Sequence, residues 1–355
     1  MSASTHIVII GAGLIGLSCA DVLLARGVKV TILEARDGPV RGTSFSNSGM
    51  IHPSQSRSWA PDLPDDPKAT ASVLFLARQS QALIADNIDR LGLADMAKRP
   101  AGCVQMFDNI STAQRQKLAF ASAGISCEII QDAARSFDRP ALFFPNDRSG
   151  DARAYGEALE RDLIHRDAYI IYGAKNIQIR QDADGLTVAS GSNRFRPDHV
   201  IIAAGAQSGS LLAQLGLSID IIGVRGHAVN FKAPNMDLPE IPVMDVASRS
   251  ALSLFGKTLR LSGGWNNQDA APMLQRWQDI APQMTAALGD PTSTWEAMRP
   301  VSKAGRPFID GTSIPGLWVN AGHGHMGWTL CAGSGALMAE MILDGARNSR
   351  FAYTG

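Results

Sequence analysis

The chain carries no excess of charge of either sign. Lys plus Arg and Asp plus Glu number 33 each, and charged residues make up only 19% of the whole. A protein that neutralises phosphates needs a basic face, so no nucleic-acid partner is expected. A polybasic contact with anionic lipid has the same requirement. Cysteine is scarce and scattered: Cys19, Cys103, Cys127 and Cys331 form no CxxC pair, which fits neither a zinc site nor a disulfide framework and points to a reduced compartment. Asp65 and Asp66 have no other ligand types nearby and read as a solvated loop, so no metal site is expected. The start lacks a charged segment followed by an apolar stretch and a cleavage site, so no signal peptide is expected. The longest apolar stretches are interrupted by Gly, Ser and charge, and none reads as a spanning helix. The expectation is a cytoplasmic protein, with the inner face of the membrane or a partner subunit as a further contact.

What is present is length and apolar mass: 355 residues, 45% of them hydrophobic, enough for two domains. Residues 6–10 (HIVII) form a short β-type run bounded by glycine, and 28–33 (VKVTIL) a second, with a helix over about 13–25 between them. Residues 38–67 are crowded with Gly, Ser and Pro and predict a long functional loop. Helical period returns over 68–91, and a helix is expected over about 153–165. HVIIAA at 199–204 and LWVNA at 317–321 read as buried strands. Residues 221–264 read as an antiparallel meander turning at Gly256-Lys257, followed by an amphipathic helix over about 272–288 and a last helix over 329–343.

The motif Gly11-Ala12-Gly13-Leu14-Ile15-Gly16 lies between the first strand and the first helix. Gly11 allows the tight turn, Gly13 lets a pyrophosphate approach the backbone, and Gly16 lets helix and strand pack closely. The helix N-terminus offers N–H groups and a positive dipole end to phosphate. Glu34 ends the second strand, where a carboxylate accepts bonds from ribose hydroxyls and disfavours a 2′-phosphate; FAD or NAD is preferred over NADP. An NAD domain would continue with a third strand soon after Glu34. The long loop intervenes instead, so the parallel sheet must be completed by the strands at 199–205 and 317–322. The fold expected is α/β with two domains: a discontinuous Rossmann-like nucleotide domain with a parallel sheet (1–80, 149–215 and 300–355), and an inserted substrate domain with an antiparallel sheet (81–148 and 216–299).

Four segments carry a family resemblance: GAGLIG with Glu34 and Arg36; TSFSNSGMIHP with the Ser-Trp-Ala-Pro at 58–61; AMRPVSKAGRPFIDG at 297–311; and NAGHGHMGWTLCAGSG at 320–335. The chain resembles the FAD-dependent D-amino-acid oxidase superfamily, and within it the bacterial D-amino-acid dehydrogenases. That resemblance implies non-covalent FAD. Gly11, Gly13, Leu14, Ile15 and Gly16 would cradle the pyrophosphate, and Glu34, Ala35 and Arg36 would flank the adenosine ribose. Thr43, Ser44, Asn47, Ser48, Gly49 and Met50 would line the pyrophosphate and the flavin edge. Ala204 and Gly205 would close over the nucleotide. His323, Gly324, Gly327, Trp328 and Thr329 would sit at the pyrimidine end of the flavin, where a helix dipole stabilises negative charge on the reduced ring.

Arg299 is the candidate for the substrate carboxylate, because a guanidinium grips carboxylate through two parallel hydrogen bonds; a surface arginine is the plainer alternative, and Arg306 is its rival. His325 and His52 are the remaining catalytic candidates, beside the plainer reading of each as a satisfied structural residue. His227 is a candidate cavity residue, and Trp59 and Trp265 are candidate walls. Cys19 and Cys331 read as small core residues. The chemistry implied is transfer of the Cα hydride of an amino or imino acid to flavin N5, giving an imine that hydrolyses to keto acid and ammonia, with oxygen or a quinone-type carrier as electron acceptor. Glycine, sarcosine, hydroxyproline or an opine remain open as substrates. An NAD-linked dehydrogenase and an electron-relay flavoprotein subunit of a larger complex also remain open.

Overall fold

The structure, a computed structural model, describes residues 5–45, 47–56, 66–130, 137–264 and 269–353. Among them, a six-stranded sheet runs in the order Phe308–Gly311, Leu317–Ala321, His199–Ile202, His6–Ile10, Lys29–Leu33, Tyr169–Ile171. Its pairings are parallel except that of the first two strands. The central strand is completed on one side by Lys29–Leu33 and on the other by His199–Ile202, with Ile9 opposite Ile201. The late strands therefore fill the sheet as the early break after Glu34 requires. Near-continuous burial of these short runs is what a parallel sheet covered on both faces demands.

Helices cover one face, among them three that pack on one another. Leu14–Ala25 follows the glycine motif, and Gly327–Asp344 packs against both it and Pro67–Arg90. The approach is close enough to need bare backbone. A Cβ at Gly335 would meet the Ser18 carbonyl and come within 2.9 Å of the Cys19 amide, and one at Gly333 would come within 3.0 Å of the Leu76 carbonyl. The segment Gly324–Asp344 is long and apolar enough to cross a membrane, but 67% of it is buried here, and this packing accounts for its apolarity. Pro67–Arg90 starts cleanly: the Asp66 side chain accepts from the Lys68 amide at 2.8 Å, with Pro67 in the first turn.

The second body is an eight-stranded sheet in the order Ser293–Ser302, Ile221–Lys232, Thr258–Gly263, Ser250–Phe255, Val243–Asp245, Cys103–Met106, Ala141–Phe144, Glu128–Ile130. It is not wholly antiparallel, since Val243–Asp245 pairs in parallel with Cys103–Met106. Four further details depart from expectation. The helix over 272–288 is two pieces, Ala271–Ile280 and Pro282–Ala286, because Pro282 has no amide to continue the first. The last helix starts at Gly327 rather than Thr329. The long loop holds a two-residue strand, Met50–Ile51, paired with Arg148–Ser149, and a 3-10 turn, Pro53–Gln55. Finally, a domain boundary at residue 300 falls inside the strand Ser293–Ser302.

Gly335→Val should force the Leu14–Ala25 and Gly327–Asp344 helices apart. Overpacking of roughly 1–3 kcal/mol in a chain of this size predicts a fall in melting temperature of about 3–10 °C, read by thermal unfolding. An unchanged melting temperature would mean that the two helices are not in contact.

Candidate active site

Between the two bodies lies a cavity of ≈ 320 Å³. The eight-stranded sheet supplies one wall through six consecutive strands: Ala297 and Arg299, Gly226 and His227, Ser262 and Gly263, Ser250 and Ala251, Met244, and Gln105. The opposite side comes from the segment Thr43, Asn47, Ser48, Met50, His52 and Gln55, together with His325 from the loop after Leu317–Ala321. Val246 and Arg249 of one turn complete the lining.

That segment has almost no regular structure, so its polar groups are met by its surroundings. The Thr43 hydroxyl donates to the Met298 carbonyl (2.9 Å), the Ser253 hydroxyl to the Ser48 carbonyl (2.6 Å), and Arg260 to the Asn47 carbonyl (3.0 Å). From the other body, the Thr329 hydroxyl accepts from the His52 amide at 3.0 Å.

Arg299 sits where strand alternation puts it. Ala297 and Arg299 line the cavity, while the intervening Met298 is exposed. Its guanidinium donates to the Gly264 carbonyl (2.5 Å) and the Gly263 carbonyl (3.0 Å). Two of five donors are thereby used to orient the group, and three remain. Across the sheet, a Cβ at Gly226 would fall within the guanidinium itself; only glycine leaves the space. Burial pulls the Arg299 pKa down to about 10, so the group stays cationic near neutrality.

His52 and His325 stack with ring centroids 5.8 Å apart and planes 12° from parallel. Burial lowers His52 to about 4. His325 is held well below its ordinary value by burial and then by His52, Arg299 and Arg249. Both rings are neutral at pH 7. His52 Nδ1 and Gln105 Nε2 are buried without a hydrogen-bond partner among the described residues, and both residues line the cavity.

The glycine motif lies at the other end of the same segment. Gly11 adopts φ +112°, and a Cβ there would come within 2.6 Å of the Ala203 carbonyl; one at Gly16 would collide with the Gly11 carbonyl. A Cβ at Gly13 would meet only the Ser44 hydroxyl, at 3.4 Å, and that hydroxyl accepts from the Leu14 amide at 3.2 Å. Ile15 is half-buried in the same first turn. The Glu34 carboxylate accepts from the Ala12 amide (2.7 Å) and the Arg36 amide (2.9 Å), which leaves each oxygen a further lone pair. Ala35 and Arg36 are exposed beside it. Ala204 and Gly205 follow the neighbouring strand His199–Ile202, with Gly205 at φ +57°. An open Gly13 at a helix N-terminus and an acid at the end of the second strand fit a dinucleotide.

Other candidates lie elsewhere. The His323 ring bonds Ser334 Oγ at 2.8 Å within the fold, and burial lowers it to about 3. Gly324 adopts φ +55° in the turn leading to Gly327, which opens the last helix. Trp328 packs against Tyr155, ring centroids 4.7 Å apart. Arg306 donates to the Ala352 carbonyl and is not part of the cavity lining. Cys19 and Cys331 are buried, and burial pushes each thiol up to about 12. Trp59 and Trp265 lie outside the described residues. Gln105, Gln55, Gly226 and Arg249 were not singled out by sequence. A lone Gln inside an otherwise apolar strand was the available signal for Gln105; none existed for Arg249.

Residues 6–341 match the family described as FAD dependent oxidoreductase. The chain belongs to that family, and FAD is its cofactor. It is similar to a D-amino acid dehydrogenase of Granulibacter bethesdensis, 25% identical over 399 residues with 95% of each chain covered. Among solved structures it is similar to glycine oxidase from Geobacillus kaustophilus, with TM-score 0.83, 20% identity and 99% of each chain covered. It is also similar to iminodiacetate oxidase from a Chelativorans species, with TM-score 0.81, 20% identity, and 98% of this chain and 99% of that one covered. At these identities the structural likeness is one of fold.

The cavity wall at His52 depends on Asp147, which accepts from the Ser54 hydroxyl (2.5 Å) and amide (3.2 Å). Burial pushes the Asp147 carboxyl up to about 7, whereas the unfolded chain ionises it near pH ~3.9. Between those values the folded state binds more protons, so this contribution to stability falls as pH rises. His52 has the opposite sign: stability falls as pH drops from about 6.5 towards 4. Asp147→Asn should therefore raise the melting temperature at pH 8 by about 5 °C relative to wild type, and the gain should shrink towards pH 5. A difference independent of pH would show that the carboxyl is ionised throughout.

Proposed function

We propose that this chain oxidises the Cα–N bond of a free amino acid, with a D-amino acid as the first candidate, and that Arg299 binds the substrate carboxylate. The observation that carries the reading is a guanidinium fixed by two carbonyls, with donors to spare, in the cavity lined by the segment Thr43–Gln55. Residues 1–80, 149–215 and the chain beyond Ser302 hold the cofactor without a covalent link, and residues 81–148 and the rest of the eight-stranded sheet hold the substrate. Gly11, Gly13, Leu14, Ile15, Gly16 and Ser44 receive the pyrophosphate, and Glu34, with Ala35 and Arg36, the ribose. Thr43, Asn47, Ser48, Gly49 and Met50 border the ring, and Ala204 and Gly205 close over the nucleotide. The loop His323–Gly327, with Trp328 and Thr329, caps the far end.

FAD, when bound, supplies a two-electron acceptor for the Cα hydride at N5. The chain's own contribution is orientation and electrostatics. A bidentate grip by Arg299 fixes the carboxylate and hence the direction of the Cα–H bond. The substrate nitrogen must be neutral for its lone pair to assist hydride release. Arginine in the cavity, with no Asp or Glu among the described residues that line it, disfavours an ammonium there and so promotes that form. His52 and His325, both neutral, add no charge and pack beside the reacting centre; Gln105 offers a donor without charge. Loss of the hydride and of one nitrogen proton leaves an imine, and water converts it to keto acid and ammonia. The electrons would pass on to oxygen or a quinone-type carrier.

Anaerobic mixing of the yellow holoenzyme with D- and L-amino acids, glycine and sarcosine tests the reading through loss of absorbance near about 450 nm. Charge-assisted hydrogen bonds contribute about 1.5–3 kcal/mol each, so Arg299→Ala should lower kcat/KM by roughly 10²–10⁴. A loss below about tenfold would remove Arg299 from the role.

A further inference from the structure

The sheet face that meets the cavity carries an amide with nothing to bond. Gln105 is 4% exposed and lines the cavity, and its Nε2 is buried with no hydrogen-bond partner among the described residues. Strand pairing puts it there. Its neighbour Val104 is in register with Val243, Leu252 and Leu261, a row that packs with Trp277 into the core on the opposite face. Alternation turns the adjacent row the other way. Gln105 stands opposite Met244, Met244 opposite Ala251, and Ala251 opposite Ser262; all four line the cavity. An amide buried without a bond costs free energy that an apolar side chain would not, so Gln105 calls for a partner that the folded chain does not supply.

The row runs towards Arg299. That guanidinium rests on the carbonyls of Gly263 and Gly264, next to Ser262 in the chain. The strands Thr258–Gly263 and Cys103–Met106 are three spacings apart in the sheet, roughly 14 Å. An extended substrate side chain and the side chain of Gln105 fill that span from its two ends. The facing wall has the same character at the Gln105 end. Half-buried Gln55 lines the cavity from the turn Pro53–Gln55. Ser54 ties this turn to Asp147, whose carbonyl accepts from the Gly102 amide at 2.8 Å, one residue before the strand Cys103–Met106. Gln105, Gln55, Met244 and Val246 therefore wall this end with amides and apolar groups. Arg249 lines the cavity too, but it is exposed, and water screens an exposed charge.

We propose that Gln105 determines specificity by bonding the end of the substrate side chain, and that the favoured substrates are amino acids whose side chain ends in a carboxamide. This rests on the amino-acid-oxidising reading above, with Arg299 on the α-carboxylate, and adds the substrate class. A carboxamide both donates and accepts, as the glutamine amide does, so each meets the needs of the other. A carboxylate only accepts, and it loses its water at an end of the cavity that offers neutral amides in return. A hydrocarbon side chain leaves the Gln105 amide unbonded.

The test compares glutamine with homoleucine and with glutamate, in both enantiomers, by anaerobic bleaching of the holoenzyme. The three have nearly the same shape and differ in the terminal group: amide, hydrocarbon or carboxylate. Glutamine should exceed homoleucine in kcat/KM by roughly 10–100-fold and glutamate by at least about tenfold. Gln105→Met, close in shape but apolar, should bring the glutamine-to-homoleucine ratio to about one or below. On the wild type alone, glutaramate should perturb the flavin spectrum with a Kd at least about tenfold lower than those of 5-methylhexanoate and glutarate, which secures the comparison should the variant fail to fold. A glutamine-to-homoleucine ratio near one, as expected if water alone meets Gln105, overturns the inference while leaving amino-acid oxidation standing. So does a preference for glutamate, or a glutamine preference that survives Gln105→Met. If no amino acid bleaches the flavin, the reading beneath fails and this inference fails with it.

Discussion

An irregular stretch of backbone buried between two sheets must have its amides and carbonyls satisfied by something other than itself. The segment from Thr43 to Gln55 is in that position. Among its described residues it has one two-residue strand and one 3-10 turn; Asn47 Oδ1 accepts from the Gly49 amide within it, and much of the remaining bonding is borrowed. Ser253 and Arg260 reach Ser48 and Asn47 from the eight-stranded sheet, Thr43 reaches across to Met298, Thr329 takes the His52 amide, and Asp147 holds Ser54. Removal of these partners would leave unpaired polar groups in a protein interior, each a substantial cost. The relation of the glycine motif to Arg299 follows from this one set of bonds, because the segment runs from Ser44 beside Leu14 to His52 beside His325.

The electrostatics of the cavity are a consequence of the same enclosure. Burial is the largest cause keeping His52 and His325 neutral, so the residual field comes from arginine. Arginine suits this setting better than lysine, since its charge survives desolvation: Arg299 is pulled down only to about 10. The carbonyls of Gly263 and Gly264 solvate it where water does not. A space whose charge comes from arginine while its two buried histidines stay neutral is what the proposed binding of an amino acid with a neutral amine would call for.

Much of this architecture was legible in the order of residues. The glycine spacing, the acid at the end of the second strand and the two late apolar runs placed the parallel sheet, because buried parallel strands are short, apolar and bounded by glycine. Arg299 was legible as a cavity residue because Met-Arg-Pro lies in a resembling segment that reads as a strand. Arg249 and Gln105 were not. Each lies on or beside a short strand of the central sheet, and the cavity side of such a strand is decided by pairing with Val243–Asp245 and Cys103–Met106, segments about 140 residues apart in the chain. The parallel direction of that pairing was hidden for the same reason. His323 illustrates the converse: its loop pattern suggested a cofactor contact, and the ring is engaged by Ser334, in the second turn of the following helix.

The strand order also bears on how the molecule is made. His6–Ile10 precedes its partners by a long stretch of chain: one of its edges is closed only by His199–Ile202, and that strand in turn by Leu317–Ala321. Until His199–Ile202 has been synthesised, a β edge that is apolar from Ile7 to Ile10 waits without its neighbour. Topologies dominated by such distant pairings fold slowly and expose sticky intermediates. In this fold the earliest strand of the parallel sheet gains its second neighbour only from chain that is made much later.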